Sequence, residues 1–187
     1  GTYQSFFRDI TNRKIIEREL KDSEEKFRKA FITSPDSINI NRLSDGRYVS
    51  INSGFTKVTG YTEEEVIGKT SAEIQIWADV SYRNVLVEKL KSSNLVENFE
   101  AKFRIKDGRL FDGLMSAAVI ELNNEPHIIS ITRDITERKK AEEEILKTKI
   151  HFQKLIENAP DGIVQISLDG KFKYVSPSAK RIFGHPI

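Results

Sequence analysis

The sequence contains no cysteine among its 187 residues. This absence excludes disulfide bonds, thiolate metal ligands, cysteine nucleophiles and chromophores that are attached through a cysteine. A long hydrophobic run is also lacking, because the longest mainly apolar stretch, residues 114–120, is far shorter than the roughly 20 residues that span a bilayer. We therefore expect no membrane contact in this segment. The chain begins with Gly-Thr-Tyr and shows no signal-peptide pattern, so we expect a cytoplasmic piece of a longer protein.

A strong net charge is the next feature that the chain lacks. Its 30 Lys and Arg residues stand against 28 Asp and Glu residues, which gives a net charge of +2. A nucleic-acid-binding domain would cluster basic residues on one face, whereas here acidic and basic residues interleave throughout. The composition therefore predicts no nucleic-acid partner.

The chain contains an internal repeat. The segment RDIT at residues 8–11 recurs at residues 133–136, and the same spacing of 125 residues aligns SPD at 34–36 with APD at 159–161. With one residue deleted, Gly60 aligns with Gly184. We infer one complete unit, preceded by the end of a similar unit and followed by the start of another.

The order of predicted elements gives the fold class. Residues 12–32 and 137–157 lack glycine and proline and predict helices, which Pro35 and Pro160 end. Alternating apolar and polar residues predict strands at 37–42, 47–52, 95–106, 110–122 and 127–134, and short helices are expected within 54–90. Two strands, a helical middle and three more strands predict an α+β fold, with one antiparallel sheet and helices packed on one side.

Several segments resemble the PAS family and its PAC motif. They are DGRYVSIN at 45–52, GYTEEEVIG at 60–68, KDG at 106–108 and RDITER at 133–138. The resemblance implies a PAS fold with a five-stranded sheet, in a sensory and dimerising module that commonly precedes a histidine kinase or cyclic-dinucleotide output domain. On this basis the chain divides into the last strand of a preceding unit (1–11), a linker helix (12–32), a complete PAS/PAC domain (33–136), a second linker helix (137–158) and the start of a following unit (159–187).

Three polar residues are predicted to act at helix ends. Asn52 precedes a helix and is expected to cap it, with a ligand contact as the alternative. Asp134 and Thr136 lie where the last strand becomes the exit helix, and Asp134 with Glu137 loosely matches a capping box. The family resemblance implies that this junction transmits strain from the sheet to the helix, so plain capping and capping with a signalling role both remain open.

The two linker helices share an apolar spacing of 4-3-4-3. In the first linker it runs through Ile16, Leu20, Ser23, Phe27 and Ala30, and in the second through Ala141, Ile145, Thr148, Phe152 and Leu155. A spacing of 3.5 residues is typical of a coiled-coil seam, so we expect a parallel homodimer through these helices. The alternative is a helix that packs on its own domain.

A ligand pocket in the resembled fold lies between the sheet and the helical middle. The pocket candidates of the complete domain are Asn39, Phe55, Ile74, Trp77, Tyr82, Phe103, Phe111 and Met115. The same residues would serve as plain core. The cofactor is unknown: without cysteine a flavin adduct cannot form, and His127, His151 and His185 lie at no spacing that suits a haem or metal ligand. A small polar metabolite or a noncovalent flavin remains open.

No catalytic motif appears in the chain, which lacks a Ser/His/Asp set and a phosphate-binding glycine loop. The predicted function is a non-catalytic sensory module that relays conformational change to a downstream output domain of the same polypeptide, such as a histidine kinase. The alternative is a dimerisation scaffold without a ligand. A further hypothesis is that the incomplete strands at 3–9, 163–167 and 171–175 pair with one another within or between chains.

Overall fold

The computed structural model describes residues 11–184, which divide into two compact units between Thr136 and Glu137. The first unit contains helix α1 (Thr11–Thr33), strands β1 (Ser37–Arg42) and β2 (Tyr48–Ile51), helices α2 (Ser53–Thr59), α3 (Glu63–Val66) and α4 (Val80–Ser93), and strands β3 (Leu95–Arg104), β4 (Leu110–Leu122) and β5 (Glu125–Asp134). The second unit contains helix α5 (Thr136–Asn158), whose first residue belongs to the first unit, strands β6 (Val164–Ile166) and β7 (Phe172–Val175), and helix α6 (Pro177–Phe183).

The five strands of the first unit form one antiparallel sheet in the order β2-β1-β5-β4-β3. Strand β1 therefore pairs with β5, the last strand, so the ends of the domain meet at the centre of the sheet. The predicted α+β fold with a five-stranded antiparallel sheet is confirmed. The turns lie in the gaps between the predicted strands, with positive φ angles of 73° at Gly46 and 91° at Gly108.

Element boundaries differ from the prediction by a few residues. Strand β3 ends at Arg104 rather than at residue 106, because the amide of Ile105 bonds to the carbonyl of Arg109 and starts the turn. Strand β5 begins at Glu125, two residues before the predicted start, since the turn at Asn123 and Asn124 occupies only two residues with positive φ.

The core of the first unit lies between the inner face of the sheet and helices α2, α3 and α4. Its most buried large side chains are Phe55, Val66 and Leu90, each at most 2% exposed. Burying such side chains contributes roughly 1.5–3 kcal/mol each to stability. The core thus joins the helical middle of the chain to the sheet and leaves room between them only for a small cavity.

Asn52 connects three elements at the edge of this core and is 3% exposed. Its Oδ1 atom accepts hydrogen bonds from the amides of Phe55 and Ile38, both at 2.8 Å. Its Nδ2 atom donates to the carbonyls of Phe31 and Asp36, at 3.0 and 2.9 Å. The predicted capping role is confirmed, and the side chain also fixes the end of α1 against the first residues of β1.

The second unit repeats this arrangement with serine in place of asparagine. Ser176 is fully buried, and its Oγ accepts hydrogen bonds from the amides of Ala179 at 3.1 Å and Ile163 at 3.0 Å. Gly184 ends helix α6 in the left-handed conformation, as Gly60 ends α2. The internal repeat in the sequence is therefore a repeat of structure.

Strands β6 and β7 pair with each other in a two-stranded sheet. The hypothesis that residues 3–9 pair with them concerns a segment outside the described residues and stays a prediction. None of the helices within residues 11–184 is both long and apolar enough to cross a bilayer.

Candidate functional site

A small cavity lies in the first unit between the inner sheet face and helix α4. It has a volume of about 80 Å³, which is enough for a few water molecules or a small solute. Pockets that enclose drug-sized ligands have volumes of roughly 300–1,000 Å³. A ligand for the cavity in this state therefore has only a few non-hydrogen atoms.

One wall of the cavity is apolar. Helix α4 contributes Leu86, Val87 and Leu90, which share one helical face because they are three and four residues apart. Opposite them lie the stacked rings of Phe103 and Phe111, with centroids 5.3 Å apart. The cavity can therefore receive the hydrocarbon part of a solute.

The floor of the cavity is polar, which is unusual for the centre of a sheet. Strands β1 and β5 pair so that Ser37 lies opposite Thr132 and Asn39 lies opposite Ser130. All four residues line the cavity and are at most 8% exposed. Alternate residues of a strand face the same side of the sheet. The sequence SININ of β1 therefore directs its polar side chains towards the cavity and its isoleucines towards the opposite face of the sheet.

A chain of hydrogen bonds orients the two asparagines of β1. The Nδ2 atom of Asn39 donates to Oδ1 of Asn41, and Nδ2 of Asn41 donates to the carbonyl of Gly46 at 3.1 Å. Both asparagines line the cavity, so their side chains face the inner side of the sheet.

Further polar side chains line the cavity, namely Arg83 from α4, Tyr48 from β2, Thr59 and Ser71. Tyr48 is only 4% exposed, and burial raises the pKa of its hydroxyl, an effect that the nearby Arg83 charge opposes. The hydroxyl is therefore protonated at neutral pH and available as a hydrogen-bond donor. Arg83 is half-buried, and its Nε donates to Oγ of Ser71 at 3.2 Å.

Six of the eight predicted pocket residues line the cavity, namely Asn39, Phe55, Trp77, Phe103, Phe111 and Met115. Ile74 and Tyr82 do not line this cavity. Ile74 is buried in the core beside the cavity, because the turn after Thr70 points it there, and its carbonyl accepts from the Tyr61 hydroxyl at 3.0 Å. Tyr82 packs edge-on against Phe99, with ring centroids 6.3 Å apart.

The sequence prediction missed several lining residues, above all Ser37, Tyr48, Arg83, Ser130 and Thr132. The signal for Arg83 was its spacing, since it lies three, four and seven residues before Leu86, Val87 and Leu90. The signal for Ser37 was its alternation with Ile38 along β1.

The junction between β5 and α5 differs from the predicted capping box. The Asp134 carboxylate accepts from the Thr136 amide at 2.8 Å, so Asp134 does satisfy an amide at the start of the helix. The Thr136 hydroxyl accepts instead from the Asp112 amide of β4 at 2.9 Å. Thr136 therefore attaches the helix to the sheet, because its side chain is directed at the neighbouring strand and away from the helix.

The described residues include two of the three histidines. His127 is 6% exposed on β5, and its Nδ1 donates to the Glu125 carbonyl at 2.9 Å. His151 is exposed on α5, and His185 lies outside the described residues.

The first unit is thus an antiparallel sheet in the order 2-1-5-4-3, and the short helices that cover one face of it enclose a small cavity. Residues 35–137 match a PAS domain model, and residues 150–187 match a second PAS domain model. The chain belongs to the PAS domain family.

Two curated relatives and one solved structure illustrate the relationship. The chain is 28% identical over 192 aligned residues to sporulation kinase E of Bacillus subtilis, covering 100% of this chain and 25% of that protein. It is 34% identical over 126 residues to the methyl sulfide methyltransferase-associated sensor of Methanosarcina acetivorans, covering 66% of this chain and 12% of that protein. The chain thus spans a quarter or less of these relatives.

The PAS domain of an HTR-like protein from Haloarcula marismortui has the same fold, with a TM-score of 0.51 and 24% identity. The match covers 65% of this chain and 99% of that one.

Proposed function

We propose that this chain is a non-catalytic regulatory module that senses a small molecule, or relays a conformational change, through its linker helices to a downstream output domain. The observation that carries the proposal is a continuous path along β5. Ser130 and Thr132 form part of the cavity floor, and Asp134, two residues further along the same strand, accepts the first amide of α5. A solute that shifts the floor would shift this helix end.

The relatives support a kinase as the output domain, since one is a sporulation kinase and the other is a sensor. In this proposal the chain acts in the cytoplasm, as part of a polypeptide that continues into the kinase. A population shift between two states is sufficient for such a relay, provided that the ligand binds one state more tightly than the other.

The linker helices support a homodimer. The apolar residues of the 4-3-4-3 spacing are exposed in the single chain, including Ile16 at 64%, Leu20 at 59%, Ile145 at 69% and Phe152 at 59%. Helix α5 has no buried residue in the described chain. A parallel coiled coil would bury these residues and would align two output domains.

The decisive experiment is native mass spectrometry of the purified chain, combined with an absorption spectrum of the same sample. We expect the mass of a dimer with a bound small molecule, which dissociates when the ions are activated by collisions in the gas phase. A fusion of the chain to a histidine-kinase catalytic region should also change its autophosphorylation rate when Thr136 is replaced by valine. A kinase rate that is unchanged by this substitution, in a fusion that is otherwise active, would contradict the relay.

The alternative function is a dimerisation scaffold without a ligand, which the small volume of the cavity favours. The two functions differ in one result. A scaffold would give a ligand-free dimer whose stability no small solute changes, whereas a sensor would be stabilised by its ligand.

A further inference from the structure

Arg83 occupies a special position on helix α4. It lies on the same face as Leu86, Val87 and Leu90, so it places a charged group at the end of the apolar cavity wall. Its Nε atom is held by the Ser71 hydroxyl, and its Nη2 atom approaches the β1–β2 turn, 3.3 Å from where a Cβ on Gly46 would lie. The guanidinium therefore lies between Ser71 and the β1–β2 turn, where it lines the cavity.

No carboxylate within residues 11–184 forms an ion pair with Arg83. The acidic residues of the neighbouring turns are already paired: Asp45 with Arg42 at 3.1 Å, and Glu73 with Arg47 at 3.5 Å. A half-buried guanidinium that lacks a counter-charge attracts an anion, because partial burial weakens the screening by water.

The surroundings of Arg83 favour a small organic acid over an inorganic anion. Tyr48 supplies a protonated hydroxyl in the same cavity, and the polar floor supplies further hydroxyl and amide groups. The other wall is formed by hydrocarbon and aromatic groups, which would leave several oxygens of a phosphate without hydrogen bonds. A short acid satisfies both sides of the cavity, and the cavity volume limits its chain length.

We propose that the cavity binds a short-chain monocarboxylate, with the carboxylate at Arg83 and Tyr48 and the hydrocarbon end against Phe103 and Met115. This inference rests on the proposed sensory function and names the ligand class. Arg83 then determines specificity, because its guanidinium offers paired donors that match a carboxylate.

The chain contains its own reporter, since its one tryptophan, Trp77, lines the cavity and packs on Phe103 with ring centroids 4.7 Å apart. The test is a fluorescence titration of the 187-residue chain with propionate and with pyruvate, at constant ionic strength. Propionamide, which has the shape of propionate without its charge, is the control ligand. Thermal unfolding with and without each ligand gives a second readout.

Three variants complete the experiment. Arg83→Met removes the charge but keeps most of the apolar stem, and Arg83→Lys keeps the charge but loses the paired geometry. Arg109→Met is the matched control, because Arg109 is an exposed arginine that pairs with Asp107 in the β3–β4 turn. We expect saturable binding of the acids, at least about tenfold weaker in Arg83→Met, intermediate in Arg83→Lys and unchanged in Arg109→Met.

The outcomes separate this inference from the proposed function. Equal binding of propionamide and propionate, or unchanged binding in Arg83→Met, would overturn the carboxylate assignment and leave the sensory function standing. A neutral molecule that copurifies with the chain would do the same. A different combination of results would refute both the inference and the sensory function. In that case neither the acids nor the amide would bind, no molecule would copurify, and Thr136→Val would leave the autophosphorylation rate of the kinase fusion unchanged.

Discussion

The hydroxyl of Thr136, the first residue of helix α5, accepts a hydrogen bond from the backbone amide of Asp112 in strand β4, at 2.9 Å. The Thr136 amide in turn donates to the Asp134 carboxylate at 2.8 Å. One residue thus connects the exit helix to two adjacent strands of the sheet.

Replacing Thr136 with valine should destabilise the first unit by about 1–2 kcal/mol, because the half-buried Asp112 amide loses its acceptor. Valine keeps the shape of threonine, so packing changes little. Urea unfolding measures the stability, and hydrogen exchange should show faster exchange of the Asp112 amide.

Thr136→Ser is the matched control, since serine keeps the hydroxyl and should retain the slow exchange of that amide. Equal exchange of the Asp112 amide in the wild type and in Thr136→Val would refute the role assigned to the hydroxyl.

Asn52→Ala should be among the most destabilising single substitutions in the chain, with a loss of about 3 kcal/mol. The change removes the cap of α2 and leaves several buried amides and carbonyls of α1, β1 and α2 without their partner. Asn84→Ala on the exposed side of α4 provides the control and should change stability little. A denaturation midpoint for Asn52→Ala equal to that of Asn84→Ala would show that the network contributes nothing.

Gly113 gives room to an aromatic ring of the cavity. A Cβ at this position would lie 2.5 Å from a ring carbon of Phe103 and 2.9 Å from Cγ2 of Thr132. Gly113→Ala should therefore cost about 2 kcal/mol through overpacking, as measured by urea unfolding.

The same alanine should be tolerated better in a Phe103→Leu background, where the ring is absent. A double-mutant cycle measures this coupling. Purely additive effects of the two substitutions would mean that the contact between Gly113 and the ring is not the cause.

The sequence predicts features that depend on neighbouring residues along the chain. It does not predict the direction of side chains that depends on strand pairing or on the orientation of a helix. The hairpins at Gly46 and Gly108 follow from alternating strands and turn glycines, and Asn52 was identified as a cap from its position before a helix. The inward direction of Asn39 could not be predicted, because it depends on the register with Ser130, which lies 91 residues away.

The position of the Arg83 side chain at the cavity could not be predicted for a similar reason. An arginine on a helix that exposes most of its polar residues is usually solvated, and only the packing of Leu86 and Leu90 on the core rotates Arg83 towards the cavity. Ile74 lies in the core and does not line the cavity, and hydrophobicity alone does not distinguish these two positions.

Stability should depend on pH through Glu65. The pKa of this carboxyl is held below its ordinary value of 4.5 by two hydrogen bonds. The larger effect comes from Lys106 and the smaller one from the Thr62 amide. A carboxyl with a lowered folded-state pKa stabilises the protein above its unfolded pKa, and this contribution is lost as the pH falls through the folded pKa. Glu65→Gln should therefore lower the urea midpoint at pH 7, with a difference that shrinks below pH 4.5.

Glu64→Gln is the neighbouring control. Its urea midpoint should equal that of the wild type both at pH 7 and below pH 4.5. A difference between Glu65→Gln and the wild type that stayed constant from neutral to acidic pH would exclude the carboxylate charge as its cause.

The exposed apolar spacing of α5 leads to the last prediction. Ile145 is 69% exposed and Phe152 is 59% exposed in the single chain, which is costly for a helix that stays monomeric in water. If the spacing is a coiled-coil seam, Ile145→Asn combined with Phe152→Asn should shift the mass in light scattering from dimer to monomer, because polar residues in the seam weaken the association. Lys147→Asn combined with Lys154→Asn, which changes the same helix away from the seam, should leave the dimer intact. A dimer that survives the seam substitutions would instead place the contact elsewhere, such as on the sheet, where Ile131 of β5 is 42% exposed.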